Sequence, residues 1–217
     1  MVFLSLWVVL NLPALAEEEK DERRFRTLHF WKNECASCHG QEGQGYDEGR
    51  GPAIAGLPDH YIMQQIRKYR DGFRGGTVPM DSDSVYFMHR EAVELSDDLF
   101  RDLAGYVASL PPRRSVHSVS GDVERGGILY ASLCSECHGS DAEGNAAKES
   151  PPLHGFQDWY IIEQVSRFRL GERKADPQNQ DSVAMHAMAK RLWRPRDIRN
   201  IAAFITTRLD GEPDAQP

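Results

Sequence analysis

The four cysteines of this 217-residue chain occur in two short strings, and each string ends in a histidine. Both strings read C-x-x-C-H, and they are Cys35-Ala-Ser-Cys38-His39 and Cys134-Ser-Glu-Cys137-His138. Two thiols on one turn can each add to a vinyl group of the same porphyrin, and the histidine that follows can ligate the iron. This spacing is the attachment signature of c-type haem. We therefore predict two covalent haems c, with His39 and His138 as axial iron ligands.

Other roles for the cysteines explain the pattern less well. A disulfide framework does not require a histidine after each pair. A zinc ribbon places its two C-x-x-C pairs about 15–20 residues apart, whereas these pairs lie about a hundred residues apart and each has its own histidine. A thioredoxin-like motif accompanies a βαβ pattern, and no strand-rich stretch flanks either pair.

The chain repeats itself at an offset of about 99 residues, which places Cys35 on Cys134 and Tyr61 on Tyr160. Such self-similarity predicts two copies of one small domain. We assign the first unit to residues 17–110 and the second to residues 121–217. Residues 111–120, rich in proline, arginine and serine, are typical of a linker.

The composition and the N-terminus indicate an exported globular protein. An uncharged apolar run from Val2 to Leu15 ends in Ala14-Leu15-Ala16, which predicts a signal peptide over residues 1–16. No basic residue precedes the run, so retention as an anchor is the alternative, and apart from this segment we expect membrane contact only through a partner. The net charge of −7 argues against nucleic acid as a partner. Export agrees with the attachment of haem c, because the thiols must be kept available outside the cytoplasm for that reaction.

Helical spacing dominates both units, and no period-two strand pattern stands out. In the first unit, apolar residues recur at helical intervals over residues 60–71, and Ser96 is placed to cap a last helix that ends before Pro111. In the second unit, Pro195 suits the first turn of the equivalent helix. We therefore predict an all-α fold of two tandem domains, each a few helices around one covalently attached haem.

The repeat also selects candidates for the second axial ligand of each iron. A methionine opposite the histidine raises the reduction potential of haem c. Met88 and Met185 each stand seven residues before a matching leucine, and each precedes a histidine. We predict that these two methionines ligate iron. His89 and His186 are the alternative ligands, because they repeat as well.

Most of the chain, about residues 25–208, resembles the two-haem class I cytochromes c of the cytochrome c4 type. Besides the two C-x-x-C-H sites, the resemblance rests on the loop Gly51–Gly56, the helix around Tyr61–Tyr69 and the Met-containing loop leading into Leu95–Leu99. It implies two domains facing each other, a periplasmic location and electron carriage to terminal respiratory enzymes. It also implies iron ligation by His39 with Met88 and by His138 with Met185.

The first helix of the first unit departs from that family pattern. Such domains usually carry a glycine where the last helix crosses the first, as in Gly126-Gly127, but the first unit has Thr27-Leu28 there. We expect a wider helix crossing in that unit. The second unit also carries a basic cluster, which consists of Lys190, Arg191, Arg194, Arg196 and Arg199.

Three functions fit the sequence, and the first is favoured. It is a dihaem electron carrier without substrate chemistry of its own, working between redox protein partners such as a donor and a terminal oxidase. The second is a haem subunit that transfers electrons within a periplasmic oxidoreductase complex. The third is a dihaem peroxidase, which would need an iron that can open a coordination position.

Overall fold

A computed structural model describes residues 3–47, 51–74, 84–112, 118–174 and 180–209. Within these ranges the chain is helical, and the one β pairing is an isolated antiparallel bridge between Asn145 and Ser150. The prediction of an all-α fold is confirmed. Parts of each predicted segment lie outside the described residues: 1–2 of the signal, 48–50 and 75–83 of the first unit, 113–117 of the linker, and 175–179 and 210–217 of the second unit.

The helices of the first unit follow one another in the order that the repeat predicts. Its helices are α1 (Phe3–Phe30), α2 (Ala36–His39), α3 (Asp59–Arg70), α4 (Ser84–Glu94) and α5 (Asp97–Ser109). A π-helical turn, Trp31–Cys35, joins α1 to α2. Helix α1 passes through residue 16 without a break. None of the helices in the described ranges combines the length and apolarity needed to cross a bilayer.

The second unit reproduces this order. Its helices are α6 (Val123–Leu133), α7 (Ser135–His138), α8 (Asp158–Leu170), α9 (Gln180–Arg191) and α10 (Pro195–Phe204). A short 3₁₀ turn, Ala146–Lys148, lies between α7 and α8, and a π-helical turn, Ile205–Leu209, follows α10.

Several helix ends lie where the sequence predicts them. The Ser96 side chain accepts a hydrogen bond from the Leu99 backbone N–H at 3.4 Å, which satisfies one of the free donors at the start of α5. Pro195 occupies the first turn of α10, where its missing N–H costs nothing. These caps fix the first residues of the last helix in each unit.

The methionine-bearing segments differ from the expectation of a loop. Met88 lies on α4 and Met185 lies on α9, and both helices are about three turns long. In α4, Val85, Met88 and Ala92 recur at helical spacing, and Val85 and Ala92 are buried against Tyr69 of α3. Burial of this stripe favours a helix over a loop.

The two units differ in how closely their first and last helices cross. A Cβ at Gly126 would collide with the Asn200 carbonyl of α10, so α6 and α10 are in backbone contact. In the first unit, a Cβ at Gly105 of α5 would meet nothing within 4 Å, and Thr27 of α1 is buried. A groove of about 810 Å³ lies between α1 and α5, lined by Thr27, Leu28 and Gly105 among others. The first crossing is therefore wider than the second.

Candidate haem-binding sites

An aromatic side chain in each unit holds the segment that follows the C-x-x-C-H turn. Trp31 Nε1 donates to the Gln41 carbonyl at 2.9 Å, and Tyr130 Oη donates to the Gly139 carbonyl at 2.7 Å. Both rings are 2% exposed and occupy equivalent positions in the repeat. Each ring therefore ties the helix before the motif to the chain after it.

The glycine after each motif histidine lets the chain turn back. Gly40 has φ +81° and Gly139 has φ +84°, a left-handed region that favours glycine. The turns are closed by backbone hydrogen bonds of 2.8 Å, from Gly45 to the His39 carbonyl and from Gly144 to the His138 carbonyl. This geometry brings the following proline-containing loop over the histidine ring.

That loop orients both histidines in the same way. His39 Nδ1 lies 2.9 Å from the Pro52 carbonyl, and His138 Nδ1 lies 2.9 Å from the Pro151 carbonyl. A carbonyl can only accept, so Nδ1 carries the proton and Nε2 keeps its lone pair for a metal. Burial lowers the pKa of both rings, although the same carbonyl bonds act to raise it. The neutral, ligating form of each ring is therefore favoured.

The four motif cysteines form no disulfide with one another, and all are partly exposed. Burial raises the pKa of the Cys35 thiol to about 12 and that of the Cys134 thiol to about 12. Among the described residues, no group of three or more His, Cys, Asp or Glu side chains could hold a metal ion.

A cavity of about 690 Å³ opens next to the first motif. Its lining brings together Cys35, Cys38, His39 and Met88 with apolar side chains such as Ile62. Cofactor sites are typically apolar clefts of about 300–1,000 Å³. A covalently attached haem fits this apolar cavity, because its lining offers two thiols, an imidazole Nε2 and a thioether.

The histidines next to the two candidate methionines have different surroundings. His89 Nδ1 lies 2.5 Å from the Tyr69 carbonyl near the end of α3, and His89 is not part of the cavity lining, whereas Met88 is. In the second unit, His186 lies beside Gly171 at the end of α8, and its buried Nδ1 has no hydrogen-bond partner. Met185 is half-buried on α9, which packs against α8 as α4 packs against α3.

Side chains of the second unit contribute to the cavity of the first, which the sequence analysis did not anticipate. Phe156, Trp159, Tyr160 and Gln164 all line it. A further contact joins the haem-side loops directly, because Gln157 Oε1 accepts from the Ala53 N–H at 2.9 Å. The first haem site is therefore built from both units.

Two arginines form a pseudo-symmetric network between the units. Arg74 donates to Gln65 at 2.8 Å, to Gln164 at 3.0 Å and to Tyr160 at 3.2 Å. Arg173 donates to Gln164 at 2.9 Å and to Gln65 at 2.7 Å. Arg74 and Gln65 repeat as Arg173 and Gln164 at the offset of 99, a signal in the sequence that could have indicated this interface.

A family model described as cytochrome c matches the chain twice, over residues 28–111 and 123–208. The two matches cover most of the chain and correspond to the two halves of the repeat.

Individual relatives agree with that match. Cytochrome c4 of Azotobacter vinelandii is 28% identical over 178 residues, covering 79% of this chain and 82% of the relative. A thiosulfate dehydrogenase electron acceptor of Thiomonas intermedia is 30% identical over 172 residues, covering 73% and 71%. The crystal structure of reduced recombinant cytochrome c4 from Pseudomonas stutzeri superposes with a TM-score of 0.67 at 23% identity, covering 83% and 96%.

Proposed function

We propose a periplasmic role for this chain, which belongs to the cytochrome c family and is an electron carrier with two c-type haems. In this role it transfers electrons between a respiratory donor and a respiratory acceptor. When bound, each haem supplies an iron that alternates between the ferric and ferrous states and so holds one electron. The observation that carries the proposal is the pair of equivalent C-x-x-C-H sites, each with its histidine Nδ1 fixed by a loop carbonyl.

The residues of each site would attach the haem to the chain and supply both protein ligands of its iron. We assign thioether attachment to Cys35 and Cys38 in the first unit and to Cys134 and Cys137 in the second. His39 and His138 would each supply a nitrogen ligand to an iron, and the hydrogen bonds from Nδ1 to the loop carbonyls orient the rings for that role. In the first unit, the apolar side chains of the cavity would limit the access of water to the haem. A site that keeps its ligands in both oxidation states reorganises little during electron transfer.

We assign the second axial positions to Met88 and Met185. The support is strongest in the first unit, where Met88 lines the cavity and His89 bonds to a carbonyl outside it. In the second unit the assignment of Met185 rests on the repeat, because Met185 and His186 occupy α9 as Met88 and His89 occupy α4. A Met/His pair gives a higher reduction potential than two histidines, which suits a carrier that delivers electrons to a terminal acceptor.

Ligand variants test this assignment. Met88→Ala and Met185→Ala should each remove about half of the sulfur-to-iron charge-transfer band of the oxidised protein and lower one of the two midpoint potentials. Met63→Ala is the matched control, because Met63 is a partly buried core methionine outside the cavity lining. A full band in Met88→Ala, or its loss in His89→Ala, would contradict the assignment.

The basic cluster is a candidate docking surface for an acidic partner. Trp193 is 69% exposed, and the Arg194 guanidinium lies over its ring at 4.2 Å. Exposed basic residues flank this pair in the sequence, Lys190 and Arg191 on the last turn of α9 and Arg196 and Arg199 on α10. Exposed aromatic and arginine side chains are enriched at protein interfaces, and the shared positive charge would steer an acidic surface toward it.

A role inside an oxidoreductase complex is the second candidate function. The relative from Thiomonas intermedia is named as the electron acceptor of thiosulfate dehydrogenase, and this chain spans 71% of it. In both roles we expect no substrate chemistry at the haems. Co-purification with a catalytic subunit separates the second role from the first.

The experiment that tests the proposal is an optical redox titration of the purified protein together with a peroxide assay. We expect two reversible one-electron transitions, six-coordinate low-spin spectra in both oxidation states and no turnover of hydrogen peroxide. A five-coordinate haem at rest with rapid peroxide turnover would indicate a peroxidase and refute the carrier function.

A further inference from the structure

One peptide group beside the first motif makes hydrogen bonds at both of its ends. Its carbonyl is that of Pro52, which accepts from His39 Nδ1 at 2.9 Å. Its N–H is that of Ala53, which donates to Gln157 Oε1 of the second unit at 2.9 Å. Because the peptide bond is delocalised, a change of charge at one end of the group is felt at the other. A continuous chain of hydrogen bonds therefore joins the candidate iron ligand of the first unit to a side chain of the second.

The Gln157 amide is held in a single orientation. Gln157 is 3% exposed, and its Nε2 donates to the Gln44 carbonyl at 3.2 Å. These two partners decide which end of the amide faces which, since the Ala53 N–H can only donate and the Gln44 carbonyl can only accept. The fit is close, because a Cβ at Gly45 would lie 2.5 Å from Gln157 Nε2. A buried amide paired at both ends keeps its oxygen directed at the Ala53 N–H.

The second unit cannot form the same chain of hydrogen bonds. The peptide whose carbonyl accepts from His138 joins Pro151 to Pro152, so it carries no N–H. The residue equivalent to Gln157 in the repeat is Pro58, which has no amide side chain to offer. Of these two described peptides, only the one in the first unit can be polarised from its N–H end.

Gln157 has no direct contact with the space that a haem would fill in the first unit. It is not part of the cavity lining, whereas His39 and Pro52 are. Hydrogen bonds in a chain strengthen one another by roughly 10–30% per bond. An acceptor on the Ala53 N–H therefore makes the Pro52 oxygen a stronger acceptor for the imidazole N–H. A ligating imidazole whose N–H is bonded more strongly is a more basic ligand.

We propose that Gln157 of the second unit is a positioning residue for the first haem: through the Pro52–Ala53 peptide it makes His39 a more basic ligand and so lowers the reduction potential of that haem. A more basic imidazole stabilises the ferric state more than the ferrous state, because ferric iron carries the greater positive charge. The packing of the second unit against the first then helps to set this potential. The inference deepens the proposed function and rests on the haem attachment and His39 ligation given there.

Gln157→Met in the full holoprotein tests this inference, because it keeps the side-chain length and removes both polar ends. We expect one of the two reduction equilibria to shift about threefold toward the reduced form, ~28 mV upward for a one-electron couple. The Ala53 amide hydrogen should also exchange faster. Gln64→Met is the matched control, because Gln64 also donates to the second unit, at Glu149, and its hydrogen bonds lie away from the Pro52–Ala53 peptide. Both midpoints should stay in place in the control.

The Nδ1 protons of the two ligand histidines give a readout that a purely structural role would not change. In ¹H–¹⁵N NMR spectra of the reduced protein, Gln157→Met should move the His39 signal upfield, because its hydrogen bond weakens. The His138 signal should stay in place, because its peptide has no N–H to polarise. The second histidine is therefore an internal control for the first.

The haem content of the unmodified protein is measured first by mass, because its absence would refute the proposed attachment and not this inference. If Gln157→Met does not retain two haems, Gln157→Asn decides, since its amide is one methylene shorter and cannot reach both partners. The same two shifts are then expected in that variant. Two retained haems with an unmoved His39 signal and unmoved midpoints would overturn the proposal, and so would equal shifts of the His39 and His138 signals.

Discussion

The contrast between the two helix crossings gives a matched pair of stability predictions, Gly126→Ala and Gly105→Ala. In a helix interior, alanine is favoured over glycine by about 0.8–1.0 kcal/mol. Gly105 faces open space, so Gly105→Ala should gain nearly all of this amount. Gly126 packs against α10, where the added methyl would overlap the Asn200 carbonyl and approach Phe204 Cβ at 2.9 Å.

The magnitude for Gly126→Ala follows from two opposing contributions. Overpacking of a close contact costs about 1–3 kcal/mol, and it is greatest where backbone is the obstacle. The helix-propensity gain of about 1 kcal/mol offsets part of this cost. Because the obstacle at Gly126 is the Asn200 carbonyl, we take the upper part of the overpacking range, about 2–3 kcal/mol, and expect a net loss of about 1–2 kcal/mol in the second unit. For a domain of this size, the melting temperature should fall by about 4–8 °C per kcal/mol.

Thermal and guanidinium unfolding of the holoprotein, followed by far-UV circular dichroism, measures both variants. Haem content must match the unmodified protein, so that the comparison reports packing alone. The two variants should move in opposite directions. If Gly126→Ala is as stable as Gly105→Ala, the close crossing between α6 and α10 is not present.

Three further predictions concern the contact between the linker and α8, the haems and the docking surface. Burial acts to raise the pKa of Asp158, but hydrogen bonds from Ser118 and Val119 at 2.6–2.8 Å hold it below its ordinary value. The resulting stabilisation is present above the unfolded pKa of about 3.9 and is lost as the pH falls through the folded pKa. Asp158→Asn should therefore cost about 1–3 kcal/mol at pH 7 in urea melts and weaken this acid dependence, and an unchanged pH profile would contradict it. Replacement of all four cysteines by serine should abolish most helical circular dichroism, because domains of this size have small cores; native helicity without haem would contradict this. Arg194→Glu should slow oxidation of the reduced protein by membranes of the producing organism, with a difference that shrinks at high salt. Equal rates for Arg194→Glu and the distant control Arg101→Glu would exclude the basic cluster as a docking surface.

The parts of the fold that follow from local rules could be predicted from the sequence. The two C-x-x-C-H motifs and the repeat gave the number of units and haems, and helical spacing with Ser96 and Pro195 gave the starts of the last helices. The wider crossing in the first unit followed from Thr27 in place of a glycine. The motifs and helix starts depend on residues within a few turns of one another, and the repeat and the crossing follow from a comparison of the two halves of the sequence.

Features that depend on tertiary contacts were not predictable in the same way. The segment around Met88 was expected as a loop, and burial against Tyr69 makes it a helix. The contribution of Trp159 to the first unit's cavity depends on how two separate units pack, and a single indole has no repeat partner to reveal it. The arginine pair is different, because its equivalent positions at the offset of 99 were present in the sequence.

The central claim is that each unit carries one covalently attached haem on its C-x-x-C-H motif. Mass spectrometry of the purified intact protein, with a pyridine haemochrome assay on the same sample, tests this most directly. We predict the polypeptide mass plus two haems, and after proteolysis one haem on each of the peptides containing Cys35 and Cys134. A bare polypeptide mass with four thiols open to alkylation would contradict the account.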